Sequence, residues 1–139
     1  MHPNTPSTSV TFRIRAALEY RPLAIDLVSA LTAQVATADR TFRDEMITAF
    51  GEAFNNVVVH GYRDRADGMV DVEAEMTRDQ ITLRVIDGGA EVDFATIREP
   101  DLEMLPESGM GVFMMRALVD EMSYAAGELN VLTLTKRVR

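Results

Sequence analysis

The sequence contains no cysteine, and that one absence removes thiolate zinc sites, iron–sulfur clusters and cysteine nucleophiles together while fitting a reducing compartment. It has no surplus of positive charge: 14 Lys and Arg stand against 22 Asp and Glu, a formal net charge of −8. General affinity for nucleic acid comes from clustered Lys and Arg that neutralise phosphates, so no direct nucleic-acid contact is expected. No apolar run approaches the roughly 20 residues of a membrane span. The opening Met1-His2-Pro3-Asn4-Thr5-Pro6-Ser7 lacks the apolar core of a secretion signal, so the expectation is a cytoplasmic protein with no membrane contact. Internal repeats and low-complexity tracts are also missing. What remains is a chain of 139 residues with 47% apolar content, sized for one compact domain that needs no disulfide or metal to hold it.

Residues 1–8 are polar with two prolines and read as a flexible tail, leaving 9–139 as the domain. Val10, Phe12 and Ile14 alternate with Thr11, Arg13 and Arg15, the period of a half-buried strand. Pro22 suits the first turn of a helix whose stripe is Leu23, Leu27 and Leu31 with Ala24 and Val28. A second helix is predicted from about Thr41 to His60, burying Phe42, Met46, Phe50, Ala53, Phe54 and Val57. Two strands around Arg78-Asp79 follow: Val70, Val72, Ala74 and Met76 alternate with Asp71, Glu73 and Glu75, then Ile81, Leu83 and Val85 with Thr82 and Arg84. The stretch from Gly88 to Gly109 is weakly patterned and long for a small domain, as functional lids often are. A third helix from Gly111 to about Glu121 and closing strands at Ser123–Ala125 and Leu129–Lys136 complete the order, with Lys136, Arg137 and Arg139 as a solvated basic end. This order predicts an α+β fold, with helices packed on one face of a largely antiparallel sheet.

Three constellations carry possible chemistry. Glu52, Asn56 and His60 recur every four residues and so share one helix face. A carboxylate and an amide oxygen one turn apart can accept a proton from a hydroxyl and offer a hard oxygen to Mg²⁺; equally, they can be a solvated polar stripe. Val85-Ile86-Asp87-Gly88-Gly89 is an apolar strand ending in an acid and two glycines. Such an acid can accept from an exocyclic amine, and the same residues also make an ordinary turn. Glu107-Ser108-Gly109-Met110-Gly111 leads into a helix, where free N–H groups and the helix dipole form an anion site. The alternative is a hinge capped by Ser108. The Gly-Lys-Ser/Thr ending of a phosphate loop is missing.

Taken in order, these segments resemble the anti-sigma-factor serine/threonine kinases of the histidine-kinase-like (GHKL) ATPase superfamily. Glu52-Ala53-Phe54-Asn55-Asn56-Val57-Val58-Val59-His60-Gly61-Tyr62 is similar to the family's N box, Asp87-Gly88-Gly89 to the G1 box, and Ser108-Gly109-Met110-Gly111 with the following helix to the G2 box. The resemblance implies a two-layer α/β sandwich, the Bergerat ATP-binding fold, with a mixed, largely antiparallel sheet. It implies ATP and Mg²⁺ as cofactors, Asn56 as the Mg²⁺ ligand and Glu52 as the general base for a serine hydroxyl. Asp87 would hold the adenine amine, with Gly89 giving it room. Ser108, Gly109, Met110 and Gly111 would meet the phosphates, and the segment 90–107 would be a lid. Position 91 is Glu where the wider superfamily has glycine, as is common in this subfamily. The threonine that many relatives place near adenine aligns with Val131, and Thr133 two residues on is the candidate to replace it.

The implied function is an anti-sigma factor, a homodimer that sequesters a sigma factor and phosphorylates an anti-sigma-factor antagonist. The alternative is a nucleotide-binding interaction module that holds a regulatory partner without phosphoryl transfer. Glu52 favours the enzyme, since binding alone needs no base. A structural role, helix capping, is expected of His60.

Overall fold

Strict alternation of apolar and polar residues places one face of each strand on a common core. The computed structural model describes residues 6–35, 37–63, 65, 67–92 and 107–139. In it β1 (Thr8–Arg15), β2 (Met69–Met76), β3 (Gln80–Asp87), β4 (Glu121–Ala125) and β5 (Asn130–Arg137) form a 5-stranded sheet in the order β1-β2-β3-β5-β4. Every described pairing is antiparallel, so the sheet expected as mixed is antiparallel throughout these strands. Val70, Val72, Ala74, Ile81, Leu83 and Val85 are buried, and the intervening Asp71, Glu73, Glu75, Thr82 and Arg84 lie half-buried on the outer face. There Arg13 donates to Asp71 through Nε at 2.6 Å and Nη2 at 3.1 Å. β1 starts at Thr8, which pairs with Met76, although Thr8 was expected to end a tail.

The buried face is covered by α1 (Arg21–Thr32), α2 (Arg40–Asn56) and α3 (Glu107–Leu118). Asp39 starts α2 by accepting from Phe42 N at 2.8 Å, which satisfies one of the donors a helix start leaves free. Met46, Phe50 and Phe54 then run fully buried along its inner face. Each large apolar side chain so removed from water contributes roughly 1.5–3 kcal/mol, which ties α2 into the core.

Two helices differ from expectation for physical reasons. On α1 the buried residues are Ala24, Val28 and Thr32, whereas Leu23 is 50% exposed. The small Ala24 lets the helix approach closely, and the Thr32 hydroxyl is satisfied by donating to Val28 O at 2.8 Å. α3 begins at Glu107, four residues before the predicted start, and ends at Leu118. Its end is set by Asp120 N, which donates to Thr135 O at 2.9 Å and draws the chain into β4. Of the terminal cations expected to be solvated, Arg137 and Arg139 are exposed and Lys136 is not. Lys136 has a side chain only 11% exposed and donates to Leu118 O, the last carbonyl of α3. A cation there complements the negative end of the helix dipole. Arg137 pairs with Glu121 and Arg139 with Asp120.

Candidate functional site

At Asn56 the α-helical path of α2 gives way to one π-helical turn, Val57–Gly61, closed by Tyr62 N donating to Val57 O at 2.8 Å. The wider turn rotates His60 off the row that Glu52 and Asn56 keep. Asn56 is accordingly buried and His60 exposed. No described residue hydrogen-bonds to the His60 side chain, so the expected capping role is not seen among the described residues.

The π turn presses Gly61 against the loop after β3. Ala90 N donates to Gly61 O at 2.8 Å, and a Cβ placed on Gly89 would stand 2.6 Å from both the carbonyl carbon and oxygen of Gly61. Gly89 is therefore required by the packing of two backbones, whatever room it also leaves for a ligand. Backbone cannot swing aside as a side-chain tip can. Gly89→Ala is expected to cost about 1–3 kcal/mol, read as a lowered thermal midpoint. Tyr62 fixes the same junction: its hydroxyl donates to Met69 O at 2.7 Å and accepts from Gly88 N at 2.8 Å.

Asp87, the last residue of β3, is only 7% exposed. Its Oδ1 accepts from Gly89 N at 2.9 Å and from Asn130 Nδ2 at 3.2 Å. Among the described residues nothing donates to Oδ2. Burial pushes the Asp87 carboxyl above the usual range, and the bonds from Asn130 and Gly89 offset part of that rise. Nearby, the Tyr124 hydroxyl of β4 accepts from Val92 N at 2.9 Å and pins the chain that leaves Asp87. Burial raises this phenol, and the charges of Asp87 and Glu91 add to the effect.

Thr133 does not reach this place. It pairs with Arg84 and Ser123 on the outer face, while Asn130, Leu132 and Leu134 are buried on the inner one. Val131 shares the outer face by the same alternation. The β5 side chain beside Asp87 is Asn130, which sequence reasoning missed. An Asn after the turn Gly127-Glu128-Leu129 was a visible signal. Its pairing with Asp87, however, depends on a register that joins residues 43 apart.

Glu52 is half-buried on α2, and a Cβ on Gly111 would stand 2.7 Å from its Oε2. The carboxylate thus lies against α3 one turn inside its start. Ser108, Gly109 and Met110, expected to precede the helix, fall within its first turn. The first four N–H groups of a helix have no partner within it, and the dipole makes that end positive. The end of the helix that suits an anion is therefore the one at Glu107, ahead of the expected start at Gly111. Asn56, one turn along from Glu52, is 8% exposed with its amide nitrogen unpartnered among the described residues. A buried donor without an acceptor is costly, so this position favours a ligand oxygen. Of the expected lid, 93–106 lies outside the described residues.

The site therefore offers a buried acceptor at Asp87, an amide nitrogen at Asn56 without a described partner, the positive end of α3, and the Glu52 carboxylate against that helix. That set can hold an amine-bearing base with an anionic tail. The profile of the histidine kinase-like ATPase domain family matches residues 14–136. The anti-sigma F factor of Clostridium beijerinckii is 40% identical over 101 residues, covering 66% of this chain and 68% of that protein. The serine-protein kinase RsbW of Listeria innocua is 26% identical over 142 residues, covering 96% and 90%. The solved RsbU and RsbW domains from Mycobacterium tuberculosis superpose with a TM-score of 0.66 at 24% identity. That match covers 96% of this chain and 32% of the other, and it supports the fold alone. The chain belongs to the histidine kinase-like ATPase family, in its anti-sigma-factor serine kinase branch.

Proposed function

We propose that this chain is an anti-sigma factor with serine protein kinase activity: it sequesters a sigma factor and phosphorylates a serine of an anti-sigma-factor antagonist with Mg-ATP. The observation that carries the reading is the position of Glu52, whose Oε2 lies 2.7 Å from where a Gly111 Cβ would be. A base therefore stands beside the helix start suited to the phosphates. Binding a nucleotide as a passive module calls for no carboxylate there.

In this reading Asp87 Oδ2 accepts from the adenine amine, and Gly89 shapes the floor under the base. The N–H groups at the first turn of α3, around Ser108, Gly109 and Met110, receive the phosphates, while Gly111, the fifth residue of that helix, has its N–H taken up within it and serves by leaving room beside Glu52. Asn56 fits the metal role: its amide nitrogen, unpartnered among the described residues, would meet a phosphate oxygen, and its carbonyl oxygen suits a hard cation. When bound there, Mg²⁺ supplies charge neutralisation on the phosphate chain. Glu52 takes the proton of the incoming serine hydroxyl, and the rest of the rate comes from positioning. A cytoplasmic homodimer, as the family resemblance implies, completes the proposal. No helix among the described residues is long and apolar enough to cross a membrane.

The test is incubation of the purified chain with γ-labelled ATP, Mg²⁺ and antagonist proteins encoded beside it. Label on an antagonist serine is expected. If ATP binds and the chain captures its partner yet no label transfers, the module without phosphoryl transfer is the correct description.

A further inference from the structure

We propose that Asn130 is a positioning residue that sets the base preference of this site, holding Asp87 as an acceptor for a purine 6-amino group and against a 6-oxo group. The inference rests on the nucleotide reading above and assigns it a residue outside the three sequence boxes. Asn130 opens β5 directly opposite Asp87 in the β3–β5 register and is 1% exposed. Its Nδ2 donates to Asp87 Oδ1 at 3.2 Å and to Gly89 O at 2.9 Å, and its Oδ1 accepts from Gly127 N at 3.4 Å. These partners fix the orientation of the amide. Turned round, its carbonyl would face both the Asp87 carboxylate and the Gly89 carbonyl. Both Nδ2 hydrogens are spent, so Asn130 itself is no donor to a ligand.

The consequence falls on Asp87. With Oδ1 held by Asn130 and Gly89 N, the carboxylate cannot rotate freely, and Oδ2 is the oxygen left without a described donor. An ionised carboxylate only accepts, whereas a protonated one can donate. Donation from Asn130 favours the ionised form and opposes the burial that disfavours it. Among the described residues, burial, Asn130 and Gly89 are what act on this carboxyl, and the neighbouring Tyr124 phenol, which feels the charges of Asp87 and Glu91, brings no cation to do the same work. Val131 and Thr133 face away, so among the described residues Asn130 is the one β5 side chain bonded to Asp87. Without its donor, the Asp87 carboxyl retains a proton more readily and presents O–H, which matches the 6-oxo group of hypoxanthine and repels no carbonyl.

The discriminating substitution is Asn130→Asp, equal in size but placing a second carboxylate against Asp87 Oδ1, where two such groups tend to share one proton. ADP and IDP affinities are measured by calorimetry for the full chain, with and without the substitution, at several pH values and alongside thermal melts. The unsubstituted chain is expected to prefer ADP. Asn130→Asp should weaken ADP by about tenfold or more while IDP changes by less than about threefold. Its ADP affinity should also climb with pH as the shared proton leaves. If Asn130→Asp does not fold, Asn130→Ser carries the test, with the same direction of change in the ADP to IDP ratio. An unchanged ratio in a folded variant, or an equal loss of both nucleotides, overturns the inference. If the unsubstituted chain binds neither nucleotide, the nucleotide reading itself falls and this inference with it. Binding of ADP with no preference over IDP overturns the inference alone.

Discussion

Asp87→Asn is expected to fold with an equal or higher thermal midpoint at pH 7 and to lose ATP affinity on the order of 100-fold or more. The two effects have opposite signs because they act on different atoms. The Asn side-chain oxygen can still accept from Gly89 N and Asn130 Nδ2, as Asp87 Oδ1 does. The free position then becomes an NH₂ group facing the adenine amine, donor against donor. Stability moves the other way because burial raises the Asp87 carboxyl. In the folded state this acid keeps its proton to a higher pH than in the unfolded chain, so folding binds protons across that window. Stability falls as pH rises from the unfolded value through the folded one, and the cost persists at neutral pH. Asp87→Asn removes that slope. Thermal melts across acid to neutral pH, paired with calorimetric ATP titrations, check both halves. A variant that is less stable at pH 7 would place the value of Asp87 in folding.

Glu52→Gln should separate binding from transfer. The amide matches the carboxylate in size, and nothing described makes Glu52 a structural anchor: it is half-buried and approaches Gly111 through the far end of a flexible side chain. ATP binding and the thermal midpoint are therefore expected to stay close to those of the unsubstituted chain. Phosphorylation of an antagonist serine should fall by about 10²- to 10⁴-fold, the usual worth of a positioned general base. Single-turnover transfer, measured with nucleotide bound in advance, isolates that step. Loss of ATP affinity in parallel would instead make Glu52 part of the phosphate-binding set.

The strands and α2 were legible in the sequence because their patterns are one-dimensional. Val70 to Met76 and Ile81 to Val85 alternate strictly, and Met46, Phe50 and Phe54 mark one helix face, all of them buried as expected. Elements whose placement depends on distant partners were less readable. The stripe of α1 was drawn through Leu23, Leu27 and Leu31 with Ala24 and Val28; Ala24 and Val28 are buried as expected, but the third buried position is Thr32 and Leu23 is exposed. Lys136 read as a solvated cation until α3 was seen to end at its ammonium. Of the proposed site residues, Glu52, Asn56 and Asp87 come from local motifs. Asn130 needed the β3–β5 register, and Thr133 was chosen as lying two residues from Val131, whose face it does share, on the side of the sheet away from Asp87. The π turn at Val57–Gly61 left no local signal that a period of four could reveal, and it separates His60 from Asn56.

The central claim is that nucleotide is held between the end of α2, the Asp87 loop and the start of α3. Backbone amide resonances followed during an ATP titration with Mg²⁺ test it most directly. The largest shifts should fall on Gly61, Gly88, Gly89, Ala90, Gly111 and the Asn130 side-chain amide, and Asp87→Asn should abolish them. A second cleft of about 390 Å³ lies away from these residues, between Phe42, Glu45, Leu118 and Lys136. Shifts concentrated there, with Gly88 to Ala90 unmoved, would contradict the account.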